Sequence, residues 1–577
     1  MIAVTLIIVT SNTTHPVRFD VELLTIDHHE DCDVVDFAGD GVDSRHWHMV
    51  RESTAAGEEM SSASPDRPAP HKRGNVLEIC GEAESGASGG VTHIKPYSKN
   101  PSYWEYRGKP LLLIGGSDQD NIFQWADDET RLTDHLDLLA RCGGNYIRCT
   151  MSSRSYTKDG HHWNVYPYPF ARIDGKYDLR QWNHEYWNKL HTFLLETYKR
   201  GIIVQIELWD RWNESGDSTR PGNGWYDSPW NPNNNVNYDW SDTPLLKPGK
   251  TDFYNAFHYA AIENDPVLLP LQQQFVRKII DTVIDGGFDH VIHQVDNESG
   301  IGDESLEPDP YWARFARKYA RSKGRDELYI CTQRRFHKPT PYKIDTFQDW
   351  KNPEIRIPIV NNAFNYCDIS QNNGVVGQQH YDNILWFRAK VLEHSARPIN
   401  NVKAYRFDWP IGGEYRKRTP GTDTEATARL WRAVFAGSAS FRFHRMTKFA
   451  RNGMYPGLGL NDVAREHLRS TRLFLDSVFL FSMEPRNDLL TNREEDEAYC
   501  LAEPGNQYAV FFSGNGDRSV VLDLSSAAER LQRCWLDVAQ SLWAEEGTIV
   551  SKGKCTLRAP GPGHWVVVLV AAESGPK

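Results

Sequence analysis

Residues 290–300 read HVIHQVDNESG. A β-branched apolar run stops at Asp296-Asn297-Glu298 and is closed by Gly300, the pattern of a buried strand whose end meets a polar environment. Just before it, Phe275, Ile279 and Val283 repeat at helical spacing, and Gly286-Gly287 supply a left-handed helix stop. The unit is therefore helix, glycine cap, then a strand that ends in carboxylates. Whether Glu298 is chemical or merely a polar strand end depends on how often the unit recurs.

It recurs from NPSYWEYRGKPLLLIGG onward. Strand-like runs occur at LLLIGG (111–116), NYIRCTM (145–151), IIVQIELW (202–209), HVIHQV (290–295), LYICTQ (328–333), YCDIS (366–370), RPINNVKAY (397–405) and ASFRFH (439–444). Between them lie helical repeats, such as Leu132, Leu136 and Leu139, or Leu179, Trp182, Tyr186, Leu190 and Phe193. Gly143-Gly144 and Gly201 close two of these. Eight alternating units with buried-type strands predict a (β/α)8 TIM barrel. An open doubly wound sheet is the alternative fold, but no G-x-G-x-x-G follows the first strand.

After residue 484 only short strands remain: AYCLAE, QYAVFF, SVVLDL, CWLDVA, TIVSKG, CTLRAP and HWVVVLV, which predict a small β-sandwich. Residues 31–90 mix acidic, Ser, Gly and Pro residues without apolar periodicity. The expected organisation is an irregular lead-in over 1–94, an α/β barrel over 95–483 and a C-terminal sandwich over 484–577.

The chain's 577 residues suffice for a large core, and its 40% hydrophobic and 25% charged residues fit a globular protein. A net charge of -12 disfavours nucleic acid and anionic membrane surfaces as general partners. The 19 Trp and 25 Tyr supply many flat amphipathic faces of the kind that sugar-binding proteins use. Nine Cys without C-x-x-C grouping fit neither a disulfide framework nor a zinc site, so reduced, partly buried thiols are expected. No D-x-D-x-D-G or H-E-x-x-H spacing occurs, and no metal or other cofactor is expected. IAVTLIIV at the N-terminus is short, has no Lys or Arg before it and no clear cleavage site after it, so it is no convincing signal peptide.

In a (β/α)8 barrel the chemistry sits where the strands end. Those ends carry Asp118 and Asp120 at the first, Arg148 and Arg154 at the second, Glu207, Trp209 and Asp210 at the third, and Asp296, Asn297 and Glu298 at the fourth. The fifth supplies Arg334 and Arg335, the sixth Gln371, Asn372 and Asn373, the seventh Lys403, Tyr405 and Arg406, and the eighth Arg442, His444 and Arg445. Carboxylates gather at the third and fourth strands and cations around the remainder. In an acidic protein such a cationic rim suits an anionic ligand, although the same arginines would equally pair with the rim's own carboxylates. The loop 210–262 is long enough to be functional, and Trp212, Trp225, Trp230, Tyr238 and Trp240 offer stacking faces or, alternatively, the loop's own core.

A fourth strand ending in Asn-Glu resembles the clan A glycoside hydrolases. More narrowly, NPSYWEYRGKPLLLIGG, CGGNYIR, DNESG, DISQNN and the C-terminal sandwich resemble apiosidase-like glycosidases, whose second domain is labelled collagen-binding. The resemblance spans about residues 95–575 and allows a periplasmic or secreted location. It implies glycoside hydrolysis with Glu298 as general acid/base and Asn297 bonded to a sugar 2-hydroxyl. The family's nucleophile is a Glu at the end of the seventh strand, where this chain has Lys403.

Three expectations follow. A shifted register would let Asp408 or Glu414 supply the nucleophile. An inverting enzyme would pair Glu298 with Glu207, Asp210 or Asp118 at a wider separation. An eliminating enzyme would use Lys403, Tyr405, Arg406, His444 and Arg445 to bind a uronate and remove its α-proton. A carbohydrate-binding barrel without catalysis is a further reading. The expected partner in every case is a carbohydrate, anionic through uronic acid or sulfate. For the sandwich, Trp535, Trp543 and Trp565 are candidate polysaccharide contacts, with packing against the barrel as the structural alternative.

Overall fold

The computed structural model describes residues 93–119, 121–124, 129–151, 167–210, 224–243, 254–299, 308–334, 347–408, 419–446, 457–551 and 553–572. All belong to the second of two units, Ala87–Lys577. The irregular segment expected over 1–94 lies almost wholly outside the described residues, as do Asp120, Arg154, Trp212, Arg335 and Glu414.

Eight strands and eight helices alternate. The strands are β1 (Leu113–Gly116), β2 (Tyr146–Thr150), β3 (Ile203–Asp210), β4 (Val291–Ser299), β5 (Ile330–Arg334), β6 (Cys367–Asp368), β7 (Ile399–Asn400) and β8 (Ser440–Phe443). The helices that follow them are α1 (Glu129–Arg141), α2 (His184–Lys199), α3 (Leu268–Asp285), α4 (Pro308–Ser322), α5 (Pro353–Val360), α6 (Gly377–His394), α7 (Asp423–Phe435) and α8 (Asp462–Ser477). Parallel ladders run β8-β1-β2-β3-β4-β5 and β6-β7. The Asn365 N–H donates to the Ile330 carbonyl at 3.2 Å and the Ala439 N–H to the Ile399 carbonyl at 2.8 Å, while Ala404 bridges Phe443 in parallel. These links join the two ladders into a closed (β/α)8 barrel, with every strand at the place its apolar run predicts.

The second helix starts later than its apolar repeat suggests. Leu179 and Trp182 lie on the strand Lys176–Trp182, which forms a hairpin with Phe170–Ile173. Asp174 and Gly175 turn that hairpin with φ of 48° and 85°, the pair of positive values a tight two-residue turn needs. The Asn183 side chain then accepts from the Glu185 N–H at 3.1 Å and caps α2. Gly201 and Gly287, at φ of 65° and 68°, provide the left-handed stops expected of them.

A three-stranded sheet, Lys95–Tyr97, Asn100–Tyr106 and Lys109–Leu111, precedes β1. The Tyr106 hydroxyl donates to Asp289 at 2.5 Å and the Ile94 N–H to the Asp289 carbonyl at 2.9 Å, so this sheet covers the N-terminal side of β4.

The C-terminal strands form a six-stranded and a three-stranded antiparallel sheet, a β-sandwich. Alternation divides their side chains between two cores. Tyr508, Val510 and Phe512 face the partner sheet, whereas Ala509 and Phe511 join the barrel's core, with Phe511 stacked 5.8 Å from Trp431 of α7. Trp535 and Trp565 are 1% and 8% exposed within the sandwich, which corrects their expected role as polysaccharide contacts. Cys142, Cys149, Cys331, Cys367 and Cys500 are buried free thiols. No helix among the described residues is long and apolar enough to cross a membrane.

Candidate active site

The barrel's interior is polar from end to end. The Trp104 indole N–H donates to Asn400 Oδ1 at 2.9 Å, and Asn400 Nδ2 lies 3.4 Å from the Tyr146 hydroxyl. That hydroxyl donates to Gln205 Oε1 at 2.5 Å, Gln205 Nε2 to Gln294 Oε1 at 2.8 Å, and Gln294 Nε2 to Glu207 Oε1 at 2.9 Å. Arg148 clasps the same carboxylate with Nε on Oε1 at 2.6 Å and Nη2 on Oε2 at 2.7 Å. Burial pushes the Glu207 carboxyl up from its ordinary range, and the Arg148 fork draws it back. Glu207 and Arg148 are both fully buried and serve one another.

Above this column, at the end of β4, lies the cluster that HVIHQVDNESG announces. Glu298 adopts φ of 66°, a left-handed conformation that costs a side-chain-bearing residue roughly 1–2 kcal/mol. Such strain persists where the surroundings over-determine it, and it concentrates at functional sites. Lys403 Nζ donates to Glu298 Oε1 at 2.9 Å and also to Asn297 Oδ1, while Asn297 Nδ2 donates to Asp210 Oδ1 at 2.9 Å. Three strands are thus tied in the order Asp210, Asn297, Lys403, Glu298. Burial pushes the Lys403 ammonium below the usual lysine range, and the Glu298 carboxylate pulls it back upward. The Lys403 backbone is itself held, because Asn373 Nδ2 donates to its carbonyl at 2.8 Å.

The remaining candidates divide by what they already touch. Arg442 is fully buried and donates to the Val402 carbonyl at 2.8 Å and to Ser117 Oγ. Arg406 bonds Asp423, and Arg148 is committed to Glu207. Arg148 and Arg406 thus pair with carboxylates of the protein itself, while Arg442 is held by a carbonyl and a hydroxyl, so these three arginines are engaged internally rather than forming the expected anion-binding rim. Asn372 donates to the His380 carbonyl and accepts from Asn383 Nδ2, both at 2.8 Å, so its amide braces α6 rather than awaiting a ligand. Asp118 accepts the Leu460 N–H at 2.9 Å and lies 4.0 Å from His135. Tyr405 and His444 meet edge to face at 4.8 Å, and Arg445 Nη1 lies 2.5 Å from His444 Nε2.

Trp209 is 2% exposed and packs among Trp230, Phe257 and Trp312 with ring centroids 5.3–6.1 Å away. Trp225, Trp230 and Tyr238 are equally buried, so these aromatics build a core beneath the long loop and are not stacking platforms. Asn231, Asn234 and Asn235 satisfy that loop's turns through their side chains. Beside Trp209, His258 Nε2 lies 3.6 Å from Asp296. Burial pushes the His258 imidazole down to about 3, so the contact is one of neutral ring and carboxylate.

Two site residues escape a reading of strand ends alone. Asp368, at the end of β6, accepts from the Ser370 N–H and Oγ, each at 2.9 Å, and from Gln333 Nε2 at 3.1 Å. Burial pushes its carboxyl up to about 6. Gln333 sits on β5 in register with Asn297. Gln333 stands one residue before the end of β5 and Asp368 is the last residue of β6, and the two-residue alternation Cys331/Gln333 and Tyr366/Asp368 is the signal that finds them.

A family model described as a domain of unknown function (DUF6298) matches residues 152–329. No curated protein matches the chain. Among solved structures, a glycoside hydrolase family 5 protein from Bacteroides vulgatus ATCC 8482 superposes with a TM-score of 0.55 at 12% identity, over 84% of this chain and 94% of that one. A second structure, described as a glycoside hydrolase, gives a TM-score of 0.56 at 12% identity over 84% and 98%. The likeness is one of fold.

Proposed function

We propose that this protein is a carbohydrate-active enzyme, a glycoside hydrolase acting on an acidic poly- or oligosaccharide, with Glu298 as the proton-transferring carboxylate. The observation that carries this reading is the 2.9 Å contact between Lys403 and the strained Glu298, at the strand ends of a fold that glycoside hydrolases share. With no glycan bound, the ammonium favours the ionised form of Glu298. A uronate carboxylate or sulfate group of the glycan takes the Lys403 ammonium in its place. Glu298, released from that cation, takes up a proton from solvent and delivers it to the glycosidic oxygen as the bond to the anomeric carbon breaks. Asp210, connected to Glu298 through Asn297 and Lys403, is the carboxylate assigned to the attacking water, as an inverting mechanism requires. Asn297, bonded to both, holds Asp210 and Lys403 in place relative to one another.

The test is release of reducing sugar from a panel of acidic and neutral glycans by wild-type protein and Glu298→Gln. Hydrolysis expects release by the first alone and no ultraviolet absorbance from an unsaturated uronate. Binding of a glycan with neither product would reduce the barrel to a carbohydrate-binding module.

A second reading is favoured by the Tyr405, His444 and Arg445 cluster at the ends of β7 and β8. In β-elimination the uronate carboxylate rests on Lys403 and Arg445, and Tyr405 or His444 takes the proton from C5. The bond from C4 to the leaving oxygen breaks as the C4–C5 double bond forms, the leaving oxygen takes up a proton from solvent, and the unsaturated absorbance appears.

A further inference from the structure

Gln333 is 1% exposed, and its amide has only one orientation compatible with its neighbours. Nε2 faces the Asp368 carboxylate at 3.1 Å, where the remaining acceptor capacity is occupied by the Ser370 N–H and hydroxyl. Ser370 Oγ in turn accepts the Val402 N–H at 2.7 Å, which ties the arrangement to the segment just before Lys403. The consequence is that Gln333 Oε1 is turned away from Asp368 and is buried with no hydrogen-bond donor among the described residues. A carbonyl oxygen buried in this way is costly, and folded proteins rarely leave one unmet.

The place of this oxygen gives it meaning. Gln333 is the register partner of Asn297, one residue before Glu298, and the Asp368 that orients it lies within electrostatic reach of Lys403. Three residues beyond Asp368, Gln371 is likewise buried, at 4% exposure, with Nε2 lacking an acceptor among the described residues. The end of β5 and the turn that follows β6 thus carry one acceptor and one donor without partners among the described residues, at the strand ends where the Lys403–Glu298 pair also lies. A sugar ring carries hydroxyls that each donate and accept, which is the chemistry that completes both.

We propose that Gln333 is a substrate-binding residue whose Oε1 accepts a hydrogen bond from a ring hydroxyl of the saccharide held against Glu298. The inference rests on the reading of Glu298 as the centre of a carbohydrate site and adds a specificity element to it. A site built to accept from a hydroxyl discriminates strongly against a ring that lacks one, because the buried acceptor is then left unpaired.

Saccharide binding to the full chain is measured by ligand-observed NMR with D-glucuronate and D-galacturonate, for wild type, Gln333→Met and Gln333→Asn. Met keeps the volume without the acceptor, and Asn withdraws it by one methylene. The expected result is binding by wild type and a loss of about tenfold in both variants at unchanged melting temperature. Equal affinity in a folded variant overturns the role of Gln333 and leaves the Glu298 site standing, with a buried water as the partner of Oε1. Absence of binding by wild type, with no binding of longer acidic glycans either, overturns the carbohydrate reading and this inference with it.

Discussion

Lys403 Nζ stands 2.9 Å from Glu298 Oε1, so the residue opposite the strained carboxylate is a cation. Glu298 and Glu207 both raise the affinity of Lys403 for its proton, against the burial that lowers it. Replacing Glu298 by Gln removes one of the two. The Lys403 ammonium is then expected to titrate at lower pH than in wild type, read from carbon-13 signals of methylated lysines. An unchanged titration would mean that the pair does not persist in solution.

The Arg148–Glu207 fork is fully buried. Removing one partner leaves an uncompensated buried charge, so Arg148→Met is expected to cost about 3–5 kcal/mol in urea unfolding. The double variant Arg148→Met/Glu207→Gln should recover most of that loss, since neither charge remains. A double variant as unstable as the single one would locate the cost in packing rather than charge.

Stability should fall on mild acidification. Burial holds the His467 imidazole down at about 3, against about 6.5 in an unfolded chain. Its contribution is complete above pH 6.5 and is lost as pH falls toward 3, because only the unfolded chain takes up the proton. At pH 5 the loss is roughly 2 kcal/mol for this one residue. His467→Asn keeps an acceptor for the Trp431 N–H, now 3.1 Å from His467 Nδ1, and should flatten the dependence of melting temperature on pH between 6.5 and 5.

Phe511 carries the sandwich onto the barrel through its stack on Trp431. Phe511→Ala should cost about 3–5 kcal/mol, measured by denaturant unfolding. If the sandwich and barrel fold as one cooperative body, the transition stays single while its midpoint falls. A second transition would mark the sandwich as an independent unit.

The eight strands were legible because parallel barrel strands are buried on both faces and read as uninterrupted apolar runs. The seven C-terminal runs were legible for a related reason, the turn residues between them. Side-chain commitment was not legible. Arg148, Arg406 and Arg442 read as a cationic rim, and only folding reveals that Glu207, Asp423 and Ser117 already hold them. Trp225, Trp230 and Tyr238 read as sugar platforms because a long Asn-rich loop hides the core it builds underneath. Leu179 and Trp182 fit a helical repeat, although Asp174-Gly175 already spelled a hairpin turn. Gln333 and Asp368 are not legible from the residues that follow each strand, because both lie on the inward face within the strands themselves.

The chain of amides from Trp104 to Glu207 also has a direction. Each donor in it faces the mouth, from the indole N–H at one end to the carboxylate at the other. No single amide can reverse without setting two donors or two acceptors against each other, so the orientation is shared by the whole stack. Trp104, at the opposite end of the stack from Glu207, acts as its latch. Trp104→Phe would unlock that collective choice, and heterogeneity at Glu207 would be its trace.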